Sequence, residues 1–222
     1  VSDSGEEQGI ARGFISPPEI VFGIARHFFK GAERIGPIFW EGQLRAECKT
    51  GNDGTFPISG TGSAGMETCF VNLIEPGDAV LVINNGVFSS RMVEVASRLG
   101  ANVDVVESPW GTPVKVQDVK NQLAKKHYKI LAVVHAETST GVNNPVAELG
   151  ELVKGSDTLY LVDSVAGLGG VDVQVDNWGV DAFYSGSQKC LSVPPGLAPA
   201  SFSEAAMDAM AERFPERRAS AP

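Results

Sequence analysis

The chain has 222 residues, 43% of them hydrophobic and 20% charged, which is ordinary for a globular protein and long enough for one large domain with a sizeable core. Its formal net charge of −9 argues against a general binder of nucleic acid or of anionic membranes, because both need cationic surface. No apolar run approaches a membrane span and the acidic N-terminus lacks a signal-peptide pattern, so a cytoplasmic protein is expected, with an organelle address at the C-terminus as the alternative.

Residues 1–16 read as a loose polar arm. From Pro17 a helix is expected, with Ile20, Val21, Ile24, Phe28 and Phe29 on one face, broken over 35–40 and followed by a second helix over 41–48. Residues 55–58 form a short strand that enters Gly60-Thr-Gly-Ser-Ala-Gly65 and then a helix over 64–74. The G-x-G-x-x-G spacing is weak by itself. A dinucleotide-binding unit would carry an acid at the end of the next strand, but strand 79–83 ends in Asn84-Asn85-Gly86. A phosphate cradle fits better, because glycines let the backbone approach and a helix N-terminus favours an anion. A purely structural turn is the competing reading.

Val87 and Phe88 precede a helix over 90–99 and a strand over 103–106. A surface helix is expected over 116–127, then a strand over 130–134 that leads into His135-Ala-Glu-Thr-Ser-Thr-Gly141. That turn either brings hydroxyls to the sheet edge or caps the next helix, 146–154. Strand 159–162 delivers Asp163, residues 173–178 form a short helix or loop, and strand 181–184 runs into Ser185-Gly-Ser-Gln-Lys189. Pro199 is out of place within the apolar stretch 197–202 unless that stretch is an edge strand. Ser203 N-caps a last helix over 204–213. Alternating strands and helices predict an α/β fold, three layers with a mostly parallel sheet.

Two residues carry the chemistry. Lys189 follows a small-residue turn and precedes Pro194-Pro195-Gly196, a setting too irregular and apolar for a charged helix face. Partial desolvation there would make its amine a carbonyl-binding nucleophile, although a loop lysine with its head in water stays open. Asp163 ends an apolar strand 26 residues earlier, where open α/β sheets bind ligands. A lysine that holds an aldehyde and an acid that keeps a pyridine nitrogen protonated are the pair pyridoxal phosphate needs; a helix cap or salt-bridge role for Asp163 is the alternative. The three cysteines, Cys48, Cys69 and Cys190, and the three histidines are dispersed, which suggests reduced thiols and no metal site. Cys190 is expected to be a small packing residue.

Six motifs, Ser59-Gly-Thr-Gly-Ser-Ala-Gly-Met66, Glu75-Pro-Gly-Asp78, Asn85-Gly86, Glu137-Thr-Ser-Thr-Gly-Val142, Val162-Asp-Ser-Val-Ala-Gly-Leu-Gly-Gly170 and Tyr184-Ser-Gly-Ser-Gln-Lys189, occur in the order seen in a known family. The sequence resembles the alanine–glyoxylate and serine–pyruvate aminotransferases, the class V branch of the fold type I pyridoxal phosphate enzymes. The resemblance implies an amino-group transfer from alanine or serine to glyoxylate or pyruvate through a Lys189 Schiff base, with Asp163 as the second catalytic residue. It further implies cofactor contacts from Thr61, Gly62 and Ser63 to the phosphate, Phe88 stacked on the pyridine ring, Val165 against one face of the ring, Thr138 reaching the cofactor and Gln188 orienting its polar edge. Phe88 stands where many members carry tryptophan. A homodimer is implied, with small amino acid and 2-oxo acid substrates. The expected organisation is an N-terminal arm and helices over 1–51, a cofactor-binding large domain over 52–203, and a divergent tail over 204–222 without the family's C-terminal small domain and its substrate-binding arginine. A remnant that binds cofactor or a full-length partner without turnover is therefore the alternative function. A desulfurase would need a cysteine on a mobile loop, and Cys190 is too close to Lys189 to serve. A nucleotide-binding oxidoreductase is the remaining alternative.

Overall fold

The computed structural model describes residues 37–213. The arm and the helix expected from Pro17 lie outside them, as does the tail from residue 214. The elements, in chain order, are α1 (Pro37–Cys48), β1 (Gly54–Gly60), α2 (Gly62–Leu73), β2 (Ala79–Asn84), α3 (Val87–Arg98), β3 (Asn102–Glu107), α4 (Val116–Leu123), β4 (Ile130–Val134), β5 (Ala136–Glu137), β6 (Val142–Asn143), α5 (Val146–Val153), β7 (Leu159–Asp163), β8 (Ala182–Tyr184), β9 (Gly196–Phe202) and α6 (Glu204–Glu212). Seven strands form one sheet in the order β1-β9-β8-β7-β4-β2-β3, and β5 pairs with β6 in a small hairpin. Strands β8, β7, β4, β2 and β3 are mutually parallel, and β9 alone runs against its neighbours.

Side chains alternate across the strands with period two, which sends each strand's residues into two cores. Leu81, Ile83, Leu131, Val133, Tyr160, Val162 and Phe183 meet Val119 of α4 and Val146, Leu149 and Val153 of α5 on one face. Val80, Val82, Ile130, Ala132, Val134, Leu159, Leu161, Ala182 and Tyr184 meet Met66, Phe70 and Leu73 of α2, Met92 and Ala96 of α3 and Ala206 of α6 on the other. Both faces of the sheet are thus covered by helices, which is why the central strands read as continuous apolar runs. No helix among the described residues is long and apolar enough to cross a membrane.

The structure differs from expectation at several boundaries. α1 starts at Pro37, inside the stretch 35–40 expected to end the preceding helix, and not at 41; proline at a first helical position loses no hydrogen bond. α2 and α3 begin two and three residues early, and α4 gives way to a turn after Leu123. Of the two readings of residues 173–178, the loop holds: 175–178 are turn and no helix forms. Pro199, out of place in any but an edge strand, lies on an interior one, since β9 lies between β1 and β8. Pro199 is tolerated there because its carbonyl accepts from the Ser185 amide, just past the end of β8. The side that lacks an N–H therefore faces a strand exit. Across from it stands Pro57, on the true edge strand β1. Ser203 caps α6 as expected, accepting from the Ala206 amide at 3.1 Å while donating to Asp181 at 2.7 Å.

One contact shows how tightly α5 is seated. A β-carbon on Gly150 would lie 2.0 Å from the Trp178 carbonyl oxygen and 3.3 Å from the Tyr160 ring. Alanine normally stabilises a helix over glycine by about 1 kcal/mol. Here Gly150→Ala is expected to destabilise by about 1–3 kcal/mol through overpacking, read as a lower urea midpoint at unchanged slope.

Candidate active site

The parallel strands all point their C-terminal ends at one edge of the sheet, where α/β folds gather ligands. β7 ends in Asp163, β8 runs into Ser185-Gly-Ser-Gln-Lys189, β4 runs into His135 and the β5–β6 hairpin, and β1 delivers Thr61 to α2.

Asp163 is 3% exposed. It is the register partner of Val134 on β4 and of Tyr184 on β8. Its Oδ1 accepts from the Val165 amide at 2.7 Å, and its Oδ2 accepts from the Tyr184 hydroxyl at 2.7 Å. Burial pushes its carboxyl up to about 6; the two hydrogen bonds pull the other way, the charge of Glu137 raises it and that of Lys189 lowers it. Lys189 is half-buried, and its ammonium has no ion pair among the described residues.

The first turn of α2 is open. Thr61 occupies the N-cap in an extended conformation but its hydroxyl does not cap the helix. The Ala64 and Gly65 amides return to the Thr61 carbonyl, which leaves those of Gly62 and Ser63 without an acceptor among the described residues. A β-carbon on Gly62 would sit 2.6 Å from Val165 Cγ2, and one on Gly186 would sit 3.2 Å from Val165 Cγ1, 3.1 Å from Gln188 Oε1 and 3.6 Å from the Gly62 nitrogen. The open turn, the residue after β7 and the lysine loop therefore meet at one point. Gln188 Oε1 is buried there without a hydrogen-bond partner.

Phe88 and Thr138 belong to a second cluster, organised by Glu137. That carboxylate is fully buried and accepts from the Ser89 amide at 3.0 Å, the Phe88 amide at 3.4 Å, the Ser139 amide at 3.2 Å and the Ser139 hydroxyl at 2.7 Å. A negative charge thus sits on the positive end of the α3 dipole, and explains why α3 starts at Val87. Gly86 must be glycine because a β-carbon would lie 2.4 Å from Glu137 Cγ; its extended φ imposes nothing. Phe88 is half-buried and packs on the same apolar cluster as Val165. Thr138 is exposed at the tip of the hairpin. Cys190 is exposed, not packed as expected, with its thiol 3.3 Å from the Ala166 carbonyl.

Tyr184 and Glu137 open two of the sequence motifs, but the sequence alone assigns neither a role. The available signal was the alternation in β8, which puts Tyr184 on the face shared with Asp163. His135, buried and turned to Ser164 Oγ at 3.2 Å and edge-on to Trp178, is held neutral by burial, its pKa lowered to about 4.

The raised carboxyl makes a stability prediction. An Asp163 that titrates at about 6 folded and at about 3.9 unfolded keeps its proton longer in the folded state. Stability is therefore lost as pH rises from about 4 through 6, by about 2–3 kcal/mol once complete. Asp163→Asn removes that loss. Chemical denaturation of the ligand-free chain should show the variant more stable than the parent at pH 8 and no more stable at pH 4; an equal difference at both would refute the account.

Known proteins place this geometry. The family model described as "Aminotransferase class-V" matches residues 50–215. The (S)-ureidoglycine–glyoxylate transaminase of Bacillus subtilis is 44% identical over 170 residues, covering 77% of this chain and 41% of the relative. The alanine–glyoxylate aminotransferase of Rattus norvegicus is 44% identical over 158 residues, covering 71% and 38%. The crystal structure of an alanine–glyoxylate aminotransferase from Nostoc sp. superposes with a TM-score of 0.76 at 42% identity, over 78% of this chain and 46% of that one. The chain thus spans less than half the length of these relatives. It belongs to the class-V aminotransferase family, whose members are pyridoxal phosphate enzymes.

Proposed function

We propose that the chain carries the cofactor site of a transaminase that moves an amino group from a small amino acid, such as alanine or serine, to a 2-oxo acid, glyoxylate or pyruvate. The observation that carries the reading is the convergence, at one sheet edge, of a buried acid, an amine without an ion pair among the described residues and an open helix N-terminus. Relatives named for glyoxylate as acceptor support that substrate, with alanine, ureidoglycine or aspartate as their donors.

The residues present fit pyridoxal phosphate. The unengaged amides of Gly62 and Ser63, with the uncommitted Thr61 hydroxyl, suit a phosphate at a helix N-terminus. The orphaned Gln188 amide wants a polar partner, and either of its ends is presented by a half-turn. Residues 52–203 form the cofactor-binding unit in this reading, and two copies associate as a homodimer.

When bound, the cofactor supplies an electron sink for the bonds at the substrate's α-carbon. Thr61, Gly62 and Ser63 hold the phosphate. Phe88 and Val165 would contact the ring, Thr138 would reach the cofactor, and Gln188 would orient its polar edge. Asp163 would keep a proton on the pyridine nitrogen, for which its carboxylate must be ionised, so the affinity of the cofactor-free chain for pyridoxal phosphate is expected to fall as pH drops through about 6. Lys189 anchors the aldehyde at rest. During turnover its amine takes the proton from the donor's α-carbon and later delivers one to C2 of the acceptor.

The test uses the purified 222-residue chain with added pyridoxal phosphate. Borohydride reduction should fix the cofactor on Lys189, identified by peptide mapping. Lys189→Ala should lose the label and at least about a hundredfold of alanine–glyoxylate transamination. Labelling without any turnover in the parent would leave a chain that binds the cofactor and transfers nothing, a reading the transaminase relatives disfavour; labelling elsewhere would overturn the assignment.

A further inference from the structure

We propose that Tyr184 is a positioning residue for Asp163, its hydroxyl fixing the carboxylate orientation from the neighbouring strand. The inference rests on the cofactor reading only for its purpose; the contact itself stands on geometry. Tyr184 and Asp163 are direct register partners on parallel strands, so both side chains leave the same face of the sheet. The tyrosine is fully buried and cannot swing away: Gly65 of α2 leaves no room, since even a β-carbon there would approach Tyr184 Cβ to 3.1 Å. Its hydroxyl donates to Oδ2 at 2.7 Å, while the Val165 amide holds Oδ1 at 2.7 Å.

Two donors, one from each side, define the carboxylate plane. An ionised carboxylate offers about four lone-pair sites, so each oxygen keeps one for a further donor. The other titratable groups near the pair are Cys69 on α2, Glu137 on β5, Lys189 after β8 and His135 after β4. Cys69 and His135 are neutral, the thiol pushed well up by burial and Asp163, the imidazole held unprotonated by burial. Glu137 opposes an ionised Asp163, and only Lys189 brings a favourable charge. The phenol is thus the one side-chain hydrogen-bond donor to Asp163 among the described residues, and it favours the charged form. A phenylalanine would pack the same space and supply nothing to Oδ2.

The experiment compares the parent chain with Tyr184→Phe. First, the Asp163 carboxyl is titrated in the cofactor-free chain by carbon NMR with labelled aspartate, assigned through Asp163→Asn. The midpoint is expected to rise by about one unit, a tenfold loss in the ratio of ionised to protonated acid. Second, pyridoxal phosphate is titrated from pH 6 to 9; its affinity in the variant should fall most at the acid end and recover towards pH 9. Replacing Tyr184 alone with a fluorotyrosine, a more acidic phenol of nearly the same size, should move the carboxyl midpoint down, and guards against a phenylalanine variant that fails to fold. An unchanged midpoint in both variants overturns the proposal. A parent chain that binds no pyridoxal phosphate sinks the cofactor reading, while the NMR midpoints still decide the role of Tyr184.

Discussion

Burying a carboxylate costs several kcal/mol unless donors or a counter-charge meet it, and Asp163 is met by two neutral donors and, among the described residues, no ion pair. The elements around the candidate site follow from that position. β7 must end where its last side chain faces the α2 side of the sheet. β8 must lie beside it in register to bring the tyrosine, and the turn after β7 must bend so that the Val165 amide reaches back. That bend puts Val165 against α2 so closely that Gly62 can carry no side chain. Gly62 thus accepts the neighbour that the acid's own hydrogen bond has placed.

A second buried carboxylate gives the contrast. Glu137 is surrounded by the Phe88, Ser89 and Ser139 amides and the Ser89 and Ser139 hydroxyls at the N-terminus of α3. Such an acid is spent on architecture. It ties the β5–β6 hairpin to the helix and thereby fixes Phe88 relative to Thr138. Asp163 has fewer donors and retains capacity for another. The same residue chemistry serves as a cap in one place and as a poised group in the other, and the number of donors decides which.

The ligand-free chain carries Asp163 at a cost, because its proton is held more tightly than in the unfolded state. A cationic ring nitrogen placed against it would repay that cost on binding. Stability traded for a site of this kind is common where a protein awaits a cofactor. Lys189 is half-buried and has no ion pair among the described residues, and its charge lowers the Asp163 carboxyl only slightly beside the effect of burial.

Much of this was legible in the sequence. Apolar runs separated by helical stretches announce a parallel sheet wrapped on both sides, and an acid at the end of one run with a lysine after a small-residue turn announces the chemistry, because strand ends and turns are local properties of the chain. What the sequence could not state is who stands beside whom. Tyr184 and Asp163 are 21 residues apart, and Glu137 lies 48 from Ser89. Their pairing depends on strand order and register, which are set by packing between strands and helices and not by any one segment. Pro199 shows the same limit: a proline reads as an edge signal locally, but the strand is interior, and only the point at which β8 stops makes its missing N–H harmless. The residue types at the site were set by the chain. The tertiary structure decided which of them hold the buried acid, because that is a matter of packing between strands and not of any one segment.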